Sequence, residues 1–163
     1  MREFGPKVAL AHVLEAMRLI KKELADRVTL IGFVGAPFTL ASYAIEGGHS
    51  NNFARTKSLM YGHPEAWHRL CDRLATMAAN YLTAQIDAGV DAVQVFDSWV
   101  GALGAADYRE FVMPHSQLIF QTVAGRVPTL HFGTGTSAIL AGLRETGGDV
   151  IGVDWRMPLD LAW

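Results

Sequence analysis

The chain has 163 residues, half of them hydrophobic and 18% charged, and its formal net charge is -2. Such a composition suits one folded domain with a sizeable core and excludes a disordered chain. The near-neutral balance excludes an overall basic field aimed at nucleic acid or an anionic membrane.

Cys71 is the lone cysteine. It leaves no internal disulfide and no cysteine-built metal knuckle, and it predicts a reducing, cytoplasmic setting. No apolar run approaches the roughly 20 residues of a membrane helix. The opening MREFGPKVALAH lacks the apolar stretch of a secretory signal.

Val13, Leu14, Met17, Ile20 and Leu24 follow helical spacing and predict an amphipathic helix over 11–25. VTLIGFVG (28–35) predicts the first strand, which turns at Ala36-Pro37 into a helix over 38–46 that stops at Gly47-Gly48. GGHSNN is loop material, and a short helix is expected over 52–60. Pro64 suits the first residue of a long helix with Trp67, Leu70, Leu74, Met77 and Tyr81 as its apolar stripe and Gly89 as its end. DAVQVFDS (91–98) predicts the second strand, and 107–124 a helix kinked at Pro114. VPTLHFG (127–133) predicts the third strand, followed by a helix over 136–146. DVIGVDW (149–155) predicts the fourth, and Pro158 opens another helix.

Strands alternating with helices imply parallel pairing through right-handed crossovers. The strands are apolar on successive residues, which predicts a sheet covered on both faces. Two architectures fit: a small doubly wound sheet, or about half of a (β/α)8 barrel, a fold that needs about 250 residues. The stop at LDLAW, inside an expected helix, favours part of a barrel.

In either architecture a ligand meets the loops at the C-terminal ends of the strands. Those ends read Gly35-Ala36-Pro37, Phe96-Asp97-Ser98-Trp99, His131-Phe132-Gly133-Thr134-Gly135-Thr136 and Asp154-Trp155-Arg156. An inert sheet needs no polar or conformationally special group at every end. GTGTSAIL could present amides to a phosphate, but it lacks the third glycine of the dinucleotide fingerprint and the lysine of a P-loop, so a plain tight turn is preferred. His131 reads as a hydrogen-bonded packing residue, and Gly133 stands where an H-x-C zinc pair needs cysteine. His12, His49, His63, His68 and His115 have no partner at ligand spacing and read as surface or packing residues.

Ser98 has no G-x-S-x-G context, so a hydrogen bond to a substrate fits it better than nucleophilic attack. Asp97 and Asp154 read equally as bases, arginine partners or loop-fixing acids. Phe33 and Phe96 read first as core. Tyr43 is balanced between core packing and a site role. Glu46 is expected to cap its helix or tie down the following loop. The residues alone give a parallel α/β unit with a small-molecule site, and no reaction.

GFVGAPFTLASYAIEGG resembles the G-F-x-G-x-P-x-T-L-x-x-Y-x-x-E-G motif of the uroporphyrinogen decarboxylase family, and the resemblance continues through DAVQVFDSWVGALG, HFGTGT and DVIGVDWR. It implies part of a TIM (β/α)8 barrel, usually a homodimer. It also implies cofactor-independent removal of the carboxyl groups from the four acetate side chains of uroporphyrinogen III in haem biosynthesis. Carried over by motif, Tyr43 is the active-site tyrosine, Ser98 contacts a substrate carboxylate, and Phe33 and Phe96 wall the macrocycle. Gly32 and Gly35 then keep the backbone slim beside a broad ligand.

The family's P-x-W-x-M-R-Q-A-G-R segment, its pyrrole-binding aspartate and its G-H-G histidine have no counterpart here; Asp97 and Asp154 sit in other motifs and do not replace that aspartate. Residues 1–163 are therefore expected to be the central portion of a single barrel domain, with about four parallel strands. Alone it would be catalytically incomplete and prone to self-association through its exposed sheet edges. Two alternatives stand beside this: a corrinoid-related methyltransferase of the same superfamily, which needs the H-x-C pair, and a non-catalytic tetrapyrrole-binding half-barrel.

Overall fold

The computed structural model describes residues 5–25, 27–48 and 50–162. Helices α1 (Pro6–Ala9) and α2 (Ala11–Leu24) precede β1 (Ile31–Gly35). Then come α3 (Pro37–Glu46), α4 (Ala54–Gly62), α5 (Pro64–Asp87) and β2 (Ala92–Asp97). Helices α6 (Ala105–Phe111) and α7 (Met113–Val123) lead to β3 (Thr129–Gly133), followed by α8 (Leu140–Thr146), β4 (Val150–Gly152) and α9 (Leu159–Ala162). No described helix is long and apolar enough to cross a membrane.

The four strands are all parallel and lie in the order β1-β2-β3-β4. A doubly wound sheet reverses direction midway and so gains helices on both faces. Here the order never reverses, and right-handed crossovers lay every connecting helix on the same side. This is part of a (β/α)8 barrel.

The expectation of two covered faces fails for the same reason. Val34, Val93 and Val95 are buried against α5 and α7, whereas Ile31 and Phe33 on the opposite face of β1 are 47% and 60% exposed. A second core, centred on Phe38, Trp67, Tyr108 and Leu143, fills the space among α3, α5, α6 and α8. Trp67 is completely buried there and its indole N–H donates to the Phe111 carbonyl at 2.8 Å.

The helix expected over 107–124 is two helices. Val112 leaves helical geometry (φ -124°, ψ -49°) and Pro114 lies in the first turn of α7, where its missing N–H costs nothing. The fourth strand is shorter than expected because Asp154 turns back to the loop after β3.

At the N-terminal ends of the strands, two acids staple neighbours. Asp91 accepts the Leu30 amide at 2.8 Å and pairs with Lys21 at 2.6 Å, and Asp149 accepts the Thr129 amide and hydroxyl, both at 2.8 Å. The Lys21 and Thr129 bonds hold the two carboxyls below the usual carboxylate range.

The outer edge of β1 is closed by a side chain. The Gln85 amide, buried on α5, donates to the Phe33 carbonyl and accepts the Phe33 N–H, each at 2.9 Å. Gly32 is glycine for this clamp: a Cβ there would stand 2.5 Å from the Gln85 side-chain oxygen. At Gly35 a Cβ would meet the Leu40 side chain at 2.8 Å. Both glycines therefore make room for protein side chains, which corrects the expectation that they thin the backbone beside a ligand.

Candidate functional site

The open face of the sheet carries an aromatic floor. Phe33 on β1 meets Phe96 on β2 edge-on with ring centroids 5.8 Å apart, and Phe96 meets Phe132 on β3 at 5.8 Å. Strand register produces this line, since Phe96 pairs directly with Phe132 while Phe33 lies diagonally across, opposite Gln94. T-shaped contacts of this kind present both edges and faces to an incoming ring. Phe132 was not singled out from the sequence; only strand pairing reveals it.

Above the floor, α3 and the turn after β2 meet at the C-terminal rim. Tyr43 is 54% exposed and its ring lies 4.0 Å from that of Trp99, tilted by 38°. Trp99 in turn packs on Phe53 at 5.3 Å. Trp99 was not singled out from local pattern, yet its ring supports Tyr43 and its backbone follows Ser98. Ser98 is half-buried two residues beyond Phe96. The structure thus brings Phe33 against Phe96, and Tyr43 beside the Ser98-Trp99 turn.

The rim loops are tied by backbone contacts. The Thr134 hydroxyl donates to the Ser98 carbonyl, and the Gly135 amide donates to the Asp154 carboxylate at 2.8 Å. The Gly135 amide, Arg156 and burial set the Asp154 carboxyl, with the net effect downward. Gly135 adopts φ +66° in the bend after β3, and its amide, one that a phosphate could have used, is taken by a carboxylate. Asp154 fixes the loop, one of the roles expected for it. Glu46 also does what was expected, accepting the Thr56 amide and hydroxyl at 2.9 Å and so joining α3 to α4.

Asp97 and His131 point to the helix-covered face. Asp97 is 0% exposed; its Oδ1 accepts the Thr39 hydroxyl at 2.9 Å and its Oδ2 is unpartnered. Burial raises its pKa to about 7 against the opposing pull of the Thr39 hydroxyl and amide. His131 packs under Phe120 at 4.9 Å, and burial depresses it to about 4. The Leu143 and Gly147 backbones partly offset that burial without closing a hydrogen bond to either ring nitrogen. His131 is a packing residue, as expected, but not a hydrogen-bonded one.

Two other histidines do have partners. His68 Nδ1 and His115 Nε2 are 2.9 Å apart, and His115 Nδ1 lies 2.8 Å from Asp72. They are far apart in sequence, so ligand spacing could not reveal them. His12 and His63 are exposed, and His49 lies outside the described residues. No group of three or more candidate metal ligands occurs among the described residues. An aromatic floor with a tyrosine and a serine at its rim can pack against a flat ring and hydrogen-bond its polar substituents.

The model of the family described as uroporphyrinogen decarboxylase (URO-D) matches residues 2–163. The chain belongs to the uroporphyrinogen decarboxylase family. It is 52% identical over 164 residues to a uroporphyrinogen decarboxylase of Sorangium cellulosum, covering 100% of this chain and 47% of that protein. The Thermus thermophilus uroporphyrinogen decarboxylase is 53% identical over 164 residues, covering 99% of this chain and 47% of its own length. That of Salinispora tropica is 57% identical over 152 residues, covering 93% and 41%. The chain spans about half the length of these curated relatives. Among solved structures, a methyltransferase from Methanosarcina mazei superposes with a TM-score of 0.77 at 19% identity, over 90% of this chain and 42% of that one. That likeness shows the fold alone.

Proposed function

We propose that this chain forms the central part of a uroporphyrinogen decarboxylase, converting uroporphyrinogen III to coproporphyrinogen III. The observation that carries the reading is the family match along residues 2–163. The site geometry supports it. Phe33 and Phe96, extended by Phe132, form a line of aromatic rings that a macrocycle could face, and Tyr43 and Ser98 lie at the strand-end rim of the same sheet.

The chemistry follows from the substrate. Protonation of a pyrrole at the ring carbon next to the one bearing the acetate makes that ring an electron sink; carbon dioxide leaves to give an exocyclic methylene, the methylene is protonated to a methyl, and loss of the proton first added to the ring restores the pyrrole. The protein's task is to hold the ring, place the carboxylates and stabilise the cationic ring. In this reading Tyr43 acts beside the reacting ring, Ser98 donates to a carboxylate, and the phenylalanines exclude water.

Because the curated relatives are about twice as long, residues 1–163 are the central portion of one barrel domain and need the remaining strands for turnover. The open face of the sheet favours self-association, homodimerisation included, in a cytoplasmic setting that suits the buried, unpaired thiol of Cys71. The methyltransferase alternative loses ground because His131 faces away from the open side and Gly133 replaces the required cysteine.

The test is coproporphyrinogen formation from uroporphyrinogen III by the protein as its gene encodes it. Tyr43→Phe is expected to lower kcat by about 10²-fold; an unchanged kcat would overturn the role of Tyr43, and absence of any turnover in the unmodified protein would overturn the reading. Full turnover by the 163-residue chain alone would refute its incompleteness. Light scattering on that chain is expected to show association; a monomer at high concentration would exclude it.

A further inference from the structure

We propose that Asp97 is a positioning residue which, through Thr39, fixes Tyr43 and Ser98 relative to each other at the rim without touching substrate. The proposal rests on the reading of Tyr43 and Ser98 given above, and it deepens that reading.

The contacts form a closed circuit. Asp97 ends β2 and its carboxylate accepts the Thr39 hydroxyl at 2.9 Å. Thr39 lies in the first turn of α3, and Tyr43 follows one turn later on the same helix face. The Tyr43 ring rests on Trp99 at 4.0 Å. The Trp99 amide reaches back to the Thr39 hydroxyl at 3.4 Å. Ser98 is the residue between Trp99 and Asp97, so displacing any member displaces both rim hydroxyls.

Packing alone would not place a carboxyl here. Asp97 is fully buried beside the largest apolar cluster, with one oxygen unpartnered, and an apolar residue would avoid that desolvation cost. What a carboxyl adds is a strong acceptor aimed at the first turn of α3, where helix amides lack intrahelical partners. The titratable groups facing it are the Cys71 thiol from α5 and the Tyr108 phenol from α6, both pushed up by burial and further by the Asp97 charge. No cation appears among the influences on it. The carboxyl is thus poised to be neutral below about pH 7 and charged above it, and ionisation puts an uncompensated charge into the circuit.

The experiment follows Trp99 emission against pH, isolated by subtraction of a Trp99→Phe protein, and the pH profile of kcat with uroporphyrinogen in the same natural protein. In the unmodified protein both are expected to change near neutrality, with kcat falling as pH rises. Asp97→Asn should abolish both transitions. Thr39→Val, which strips the carboxylate of its donor, should move both to higher pH and lower kcat about tenfold. Thr39→Ser, which keeps the hydroxyl, should restore them.

A role in packing alone would leave the midpoints where they are in Thr39→Val, and that result would overturn the proposal, as would persistence of the transitions in Asp97→Asn. The emission arm needs no substrate. A titration that obeys these rules in a protein without turnover would retain the circuit and remove the functional reading.

Discussion

The two faces of one sheet, built by alternate residues of the same strands, have opposite fates. Val34 is 8% exposed and its neighbour Phe33 60%. The covered face interlocks with α5 and α7 and holds the fold, whereas the open face leaves its aromatic rings available. Burial, more than residue type, separates scaffold from site, because both faces carry large apolar side chains.

The largest test of that division is Trp67→Ala in the covered layer. It removes a fully buried ring and its bond to Phe111. It is expected to cost about 3–5 kcal/mol in urea denaturation; a loss below 1 kcal/mol would mean that the helical layer is not the scaffold. Gln85→Leu comes next. It strips both partners from Phe33 at the β1 edge, for an expected loss of about 1–3 kcal/mol and faster hydrogen exchange at Phe33.

Phe33→Ala on the open face should change stability by less than about 1 kcal/mol while raising KM for uroporphyrinogen. A large stability loss without a change in KM would erase the distinction between the faces.

The smallest net effect is in pH dependence, where two buried groups on the covered face oppose each other. Folded Asp97 keeps its proton to about pH 7, whereas the unfolded chain releases it near 4, so its contribution to stability falls as pH rises through that window. Folded His131 stays neutral down to about pH 4, whereas the unfolded chain binds a proton below about 6.5, so its contribution rises across nearly the same window. The contributions of these two groups should therefore nearly cancel from pH 4.5 to 6.5. Asp97→Asn should uncover a rise with pH, and His131→Phe a fall. Two variants with the same slope as the unmodified protein would show that neither group is perturbed.

The succession of strands and helices and the loops that line the rim were legible because glycine, proline and β-branched runs punctuate them. β1 is expected over 28–35 and occupies Ile31–Gly35; Pro64 begins its helix as expected, and the helix expected from 38 starts one residue earlier, at Pro37. What local pattern could not convey was which neighbour each residue meets. Gly32 serves Gln85, more than fifty positions away. Phe132 joins the floor only through its register with Phe96, and His68 finds His115 only when α5 packs on α7. Residue context left Tyr43 balanced between packing and a site role and gave Ser98 a substrate hydrogen bond in outline; only the motif gave each a specific role.

Gly101 gives the rim a further property. A side chain there would collide with the carbonyl oxygens of Thr134 and Gly135, and those two residues hold Ser98 and Asp154. One added methyl group would thus be transmitted from the loop after β2 to the loops after β3 and β4. The three strand ends are in direct contact with one another, so the freedom to vary sequence along the rim is set by clearance between backbones as much as by any molecule that binds there.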